Sequence, residues 1–176
     1  MITEKQQNDV DIINKTRLSG DSNDQHEFDI STYEYSAPKD GMFLLFNGEK
    51  VVGRMAVHKT FAEYNGQEYC LGGLAVLPEY RGKGYARKLA EAALRKAHEI
   101  GVDIACVEVN TESGITDFYQ KLGFTFLNHP AYFLNHGNHE VTDDNVMIMG
   151  LRNKNLADKI LATKDKFYYG NSLGHW

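Results

Sequence analysis

The residues best placed to do chemistry are Arg81-Gly82-Lys83-Gly84-Tyr85-Ala86. Two cations alternate with two glycines where a β-rich run, Leu71 to Leu77, passes through Pro78 and Glu79 into a helical pattern. Backbone N–H groups left without intrahelical partners at a helix start, reinforced by the positive end of the helix dipole, attract phosphate. Gly82 and Gly84 allow a ligand close to the backbone, and Arg81 and Lys83 add full charges. The stretch predicts a pyrophosphate cradle.

Other reactive residue types are less organised. His136, His139, Asp143 and Asp144 stand in a Gly- and Asn-rich loop with no third soft ligand at fixed spacing, so no metal site is expected. Cys70 and Cys106 each sit inside an apolar run and read as buried thiols in a reducing compartment.

The cradle needs elements to position it. Met42 to Phe46, the turn Asn47-Gly48, and Val51 to His58 read as a hairpin. Phe61 to Tyr64, Asn65-Gly66, and Glu68 to Leu77 read as a second, so an antiparallel meander leads into the glycine turn. After the turn, Ala86, Leu89, Ala93, Ala97 and Ile100 form a helical apolar stripe that Gly101 ends. Asp103 to Asn110 suits a central strand, giving a parallel pair with a right-handed crossover. A helix over 113–122, a strand at 124–127, a polar His- and Gly-rich loop, a strand at 145–151 and a helix at 156–162 complete the pattern. The aromatic tail from Phe167 to Trp176 is expected to pack onto the body. Residues 1–40 are uninformative beyond the aromatics Phe28, Tyr33 and Tyr35, which suit either a pocket cover or a core cover.

A chain of 176 residues with 42% hydrophobic content accommodates one compact domain, 1–176. Its net charge of -5 argues against nonspecific nucleic-acid binding. The sequence shows neither a signal peptide nor a run of membrane-spanning length, so a cytoplasmic location without membrane association is expected.

Three phosphate-binding motifs compete for residues 81–86. A P-loop needs Gly-Lys followed by Ser or Thr, whereas Gly84 follows Lys83. A dinucleotide fingerprint needs a small residue where Arg87 stands and an acid at the far end of the next strand, whereas Asp103 opens that strand. The third pattern, Arg or Gln, two residues, Gly, one residue, then Gly or Ala, is met by Arg81, Gly84 and Ala86. With Phe118-Tyr119-Gln120-Lys121-Leu122-Gly123-Phe124 downstream, the chain resembles the GCN5-related N-acetyltransferase (GNAT) superfamily. The resemblance covers about residues 42–127 and extends to the strand at 145–151. One departure stands out: many relatives carry Asn seven residues before the signature tyrosine, and here that position is Glu112.

The resemblance implies an α/β (α+β) fold with a mixed, mostly antiparallel central sheet, one splayed parallel strand pair, and flanking helices. It implies acetyl-coenzyme A as cosubstrate, bound by Leu74, Ala75, Val76, Arg81, Gly82, Lys83, Gly84, Tyr85, Ala86 and Phe118. Backbone N–H groups of Leu74, Ala75 and Val76 would face the pantetheine arm, one of them polarising the thioester carbonyl. Tyr119 would act as general acid toward the departing thiolate. With a thiol near ~8.5 and a phenol near ~10, full proton transfer is uphill by about 2 kcal/mol, so hydrogen bonding carries much of that role. Glu63, Glu68 and Glu108 flank the expected cleft, and none is assigned as base. The expected acceptor is a primary amine on a small molecule, polyamine- or aminoglycoside-like. A peptide or protein amine is the alternative, a non-catalytic acyl-coenzyme A binding module is the rival, and a homodimer is possible.

Overall fold

The computed structural model describes residue 8 and residues 42–61, 67–134 and 139–168. Its strands are β1 (Met42–Asn47), β2 (Lys50–Phe61), β3 (Gln67–Val76), β4 (Ile104–Glu108), β5 (Thr125–Phe126), β6 (Ala131–Leu134), β7 (Glu140–Asp143), β8 (Val146–Gly150) and β9 (Phe167–Tyr168). The helices are α1 (Tyr85–Glu99), α2 (Thr116–Gln120) and α3 (Lys154–Ala162), with short 3-10 turns at Pro78–Tyr80 and Thr111–Ser113. Hydrogen bonding orders one sheet β1-β2-β3-β4-β8-β5 and a second β7-β6-β9. The fold is mixed α/β with a mostly antiparallel main sheet, as the sequence implied.

The described chain groups into two compact units, one from residues 42–57 and 73–93, the other from 58–72 and 94–168. In the first, β1 and β2 pair antiparallel from Met42↔Ala56 to Asn47↔Lys50. A register shift between Leu45 and Phe46 moves the two-residue loop onto Gly48 and Glu49, one position later than the expected Asn47-Gly48 centre. Val51, Val52 and Leu77 form a core covered by Leu44, Leu45, Ala75 and Tyr80. Leu89 of α1 lies on β2 at Gly53, where a Cβ would sit 3.0 Å from Leu89 Cδ1 and 3.1 Å from the Ala75 carbonyl oxygen. A side chain there would crowd Leu89 and the backbone of β3.

In the second unit, β3 and β4 pair in parallel from Glu68↔Ile104 to Leu71↔Val107. β8 then pairs antiparallel with β4 over its whole length, and β5 adds to β8. Ile104 to Val107 are all buried, as a strand covered on both faces must be. Asn153 caps α3, its Oδ1 accepting from Leu156 N at 3.0 Å. Gly150 lets the start of α3 cross β8, because a Cβ there would lie 2.8 Å from Lys154 Cα.

Several sequence expectations need correction. The strand expected to close at His58 runs on to Phe61, because His58-Lys59-Thr60 contains no turn-forming residue. Phe61 therefore belongs to β2, and residues 62–66 lie outside the described chain. The helix expected over 113–122 is a 3-10 turn and a five-residue α2, separated at Gly114 with φ 71°. Ile100, counted in the apolar stripe, lies past the end of α1 and is exposed. The polar loop after Leu127 contains the β6–β7 hairpin, and β6 pairs in parallel with β9, a second parallel pair that the sequence reading lacked. Phe167 is fully buried there, as expected of the tail's first residue, while residues 169–176 lie outside the described chain.

Candidate functional site

The cradle residues belong to the first unit. β3 reaches Val76, Leu77 N donates to the Val52 carbonyl at 3.0 Å, and Pro78 opens the 3-10 turn that leads into the glycines. Gly82 and Gly84 adopt φ 73° and 76°, left-handed values that L side chains avoid, and a Cβ on either would meet nothing within 4 Å. Both glycines therefore face open space. Lys88 N makes the first intrahelical bond, to the Gly84 carbonyl at 3.1 Å. Among the described residues, the N–H groups of Gly82 through Arg87 donate to no backbone carbonyl. A row of oriented donors at the start of a 15-residue helix is what a diphosphate requires.

The basic side chains are braced as well as charged. Arg81 Nε donates to the Val76 carbonyl at 3.0 Å, tying the turn to the end of β3. Lys83 Nζ donates to the Glu79 carbonyl at 3.1 Å and lies 5.3 Å from the Tyr80 ring centroid. Tyr85 and Ala86 are half-buried at the helix start, with Lys88 Nζ 5.5 Å from the Tyr85 ring.

Leu74, Ala75 and Val76 follow Gly73, which has φ 60° within β3. The parallel ladder with β4 has by then ended, at Leu71↔Val107. The left-handed conformation of Gly73 interrupts the regular strand there. Sequence reading missed Arg54, a fully buried cation whose Nη1 lies 3.1 Å from the Cβ position of Gly73. It also missed Lys50 and Tyr80. Lys50 Nζ is 3.4 Å from Glu79 Oε1 and 5.5 Å from the Tyr80 centroid. The hairpin register was the available signal, because β2 runs antiparallel to β1 and Asn47 at the hairpin tip donates to Tyr80 Oη at 3.5 Å.

Tyr119 and Phe118 belong to the second unit. Tyr119 is 4% exposed, its ring edge-on to Phe118 at 5.0 Å and to Phe124 at 5.6 Å. Phe124 N donates to the Tyr119 carbonyl at 3.1 Å, and Gly123 with φ 102° makes the tight return after α2. The Phe-Tyr-x-x-x-Gly-Phe spacing thus locks the phenol between two aromatic edges. Glu112, where relatives carry Asn, is exposed in the preceding 3-10 turn, its N–H donating to Asn110 Oδ1 at 2.9 Å. Glu108 is exposed, the Glu68 side chain is not described, and Glu63 lies outside the described residues.

Cys106 is buried and not in a disulfide. His139 and Asp144 are exposed, Asp143 is half-buried, and His136 lies outside the described residues. Among the described residues no group of three or more His, Cys, Asp or Glu is arranged to hold a metal, and no helix is long and apolar enough to cross a membrane.

A strand, a glycine turn and a helix flanked by cations, set in a mixed sheet, define the α/β class of this protein. The sequence model described as acetyltransferase (GNAT) family matches residues 10–124. The chain belongs to that family. Among solved structures, PH1933 from Pyrococcus horikoshii OT3 is similar at a TM-score of 0.63 and 20% identity, with 85% of this chain and 93% of that one covered. The GNAT family N-acetyltransferase YhbS from Escherichia coli, solved in complex with CoA, is similar at 0.53 and 20%, covering 73% and 66%. The structure of the NatC complex bound to Gag peptide and CoA includes a chain similar at 0.60 and 18%, covering 85% and 92%. The chain thus spans slightly less than two thirds of YhbS. None of the curated protein sequences matches it.

Proposed function

We propose that this protein transfers an acetyl group from acetyl-coenzyme A to a primary amine of a small molecule. The observation that carries the reading is the glycine turn: Gly82 and Gly84 open to solvent, N–H groups aligned at the start of α1, and Arg81 and Lys83 beside them. These residues fit a diphosphate, and YhbS, similar in fold, was solved with CoA. When bound, acetyl-coenzyme A supplies an activated thioester for direct attack by the amine.

The chain's own residues have three tasks. The N–H groups of Gly82 to Arg87, with Arg81 and Lys83, hold the diphosphate. Backbone N–H groups of Leu74, Ala75 and Val76, past the interruption at Gly73, hold the pantetheine arm and stabilise charge on the carbonyl oxygen. Tyr119 Oη donates a hydrogen bond to the departing thiolate, and Phe118 and Phe124 hold its ring in place. The acidic chain, net -5, supports a cationic acceptor.

A second reading, acetylation of a peptide or protein amine, draws support from the likeness to the chain in the peptide-bound NatC structure. Thiol release from acetyl-coenzyme A, measured across polyamines, aminoglycosides and short peptides, tests both. Turnover with a small amine is expected. Turnover with peptides alone favours the second reading, and thiol release with none of the amines indicates a non-catalytic binding module.

A further inference from the structure

Beside the diphosphate cradle, two ammonium groups lie over one aromatic ring. Lys50 Nζ is 5.5 Å and Lys83 Nζ 5.3 Å from the Tyr80 centroid. They come from different elements, Lys50 from the first position of β2 and Lys83 from the glycine turn itself. Asn47, bonded to Tyr80 Oη at 3.5 Å, ties the tip of the β1–β2 hairpin to the 3-10 turn that precedes the glycines. Residues 79–91 hold four basic and two acidic side chains in a chain whose net charge is -5, so positive charge is concentrated here against the overall balance.

We propose that Lys50 and Lys83, steadied by Tyr80, form a phosphomonoester site that binds the 3′-phosphate of coenzyme A and distinguishes it from 3′-dephospho-coenzyme A. The inference rests on the reading that the glycine turn holds the diphosphate of that molecule. The 3′-phosphate hangs from the ribose adjoining the diphosphate, so its site must lie within one nucleoside of the cradle. Lys83 belongs to the cradle and Lys50 shares its ring, which meets that condition. A phosphomonoester carries close to two charges at neutral pH and offers three acceptor oxygens, a match for two ammonium point charges.

The present partner of Lys50 shows the same chemistry. Its ammonium faces Glu79 Oε1 at 3.4 Å, and both side chains are about half exposed. The Glu79 carboxyl is held below its ordinary range, first by a hydrogen bond from its own backbone N–H and then by Lys50. It therefore stays ionised at neutral pH. An exposed pair of this kind is weak in water, and a dianion displaces a single carboxylate from it.

Calorimetric titration of the full chain with coenzyme A and with 3′-dephospho-coenzyme A tests the site. The wild type is expected to bind coenzyme A about tenfold more tightly, the scale of one charge-assisted contact. Lys50→Met should remove most of that preference by weakening coenzyme A while leaving the dephospho form within about twofold. Equal binding of both molecules by the wild type overturns the phosphomonoester site and leaves the cradle standing. Equal weakening of both by Lys50→Met, or no weakening, also overturns it. Binding of neither molecule by the wild type overturns the cofactor reading and this site with it.

Discussion

Tyr119 is the residue proposed to donate to the departing thiolate, and a conservative variant tests that role. The ring sits edge-on between Phe118 and Phe124, contacts that phenylalanine keeps. Tyr119→Phe should therefore lower kcat by about 10²-fold, the scale of a lost acid–base contribution, with KM for acetyl-coenzyme A and the melting temperature nearly unchanged. Steady-state thiol release and a thermal melt measure these, and an unaltered kcat removes the role. Gly73 is the second telling residue. At φ 60°, with Arg54 Nη1 3.1 Å from the Cβ position, Gly73→Ala should cost about 1–2 kcal/mol in urea unfolding. The tyrosine was legible because its flanking Phe and Gly spacing is local. Arg54 was not, since an arginine in an alternating strand reads as a surface residue, and only the fold reveals its burial.

At the scale of elements, the strand–glycine turn–helix unit was the most readable part. Its signals, a β-rich run, two glycines and a helical stripe, are all short-range. Gly114 was missed as a helix breaker because the pattern from Ser113 to Leu122 reads as helix straight through it. The β6–β7–β9 sheet was missed because its pairing joins Ala131 and Tyr132 to Phe167 and Tyr168, partners too distant for local periodicity. This small sheet makes a pH prediction. Glu140 accepts from Lys166 Nζ at 2.5 Å and from Tyr168 Oη, and Tyr132 stacks against Tyr168 at 5.6 Å. These bonds hold the Glu140 carboxyl below its ordinary range, first through Lys166, and raise the Lys166 ammonium, first through Glu140. The Glu140 contribution is complete above the ordinary carboxyl range and is lost as pH falls through its lowered folded value. The Lys166 contribution is complete below the ordinary lysine value and is lost as pH rises through its raised folded value. Stability from the pair thus peaks between those limits, and Glu140→Gln should flatten both sides of a plot of urea midpoint against pH.

For the whole molecule, donor and acceptor differ in how openly they are written. The proposed donor would be recognised by backbone donors and point charges on one continuous stretch, residues 81–86, which lies inside the family match over 10–124. An acceptor pocket is assembled from side chains scattered through a sequence, and no local spacing encodes it. The acidic balance supplies a preference for cations and nothing finer. The claim on which everything else depends is that the glycine turn holds the diphosphate of acetyl-coenzyme A. Calorimetric titration of acetyl-coenzyme A into the wild type and into the double variant Arg81→Ala, Lys83→Ala tests it most directly. Affinity should fall about 10- to 100-fold in the variant, the loss of two charge-assisted contacts partly screened by solvent. Unchanged affinity would contradict the account.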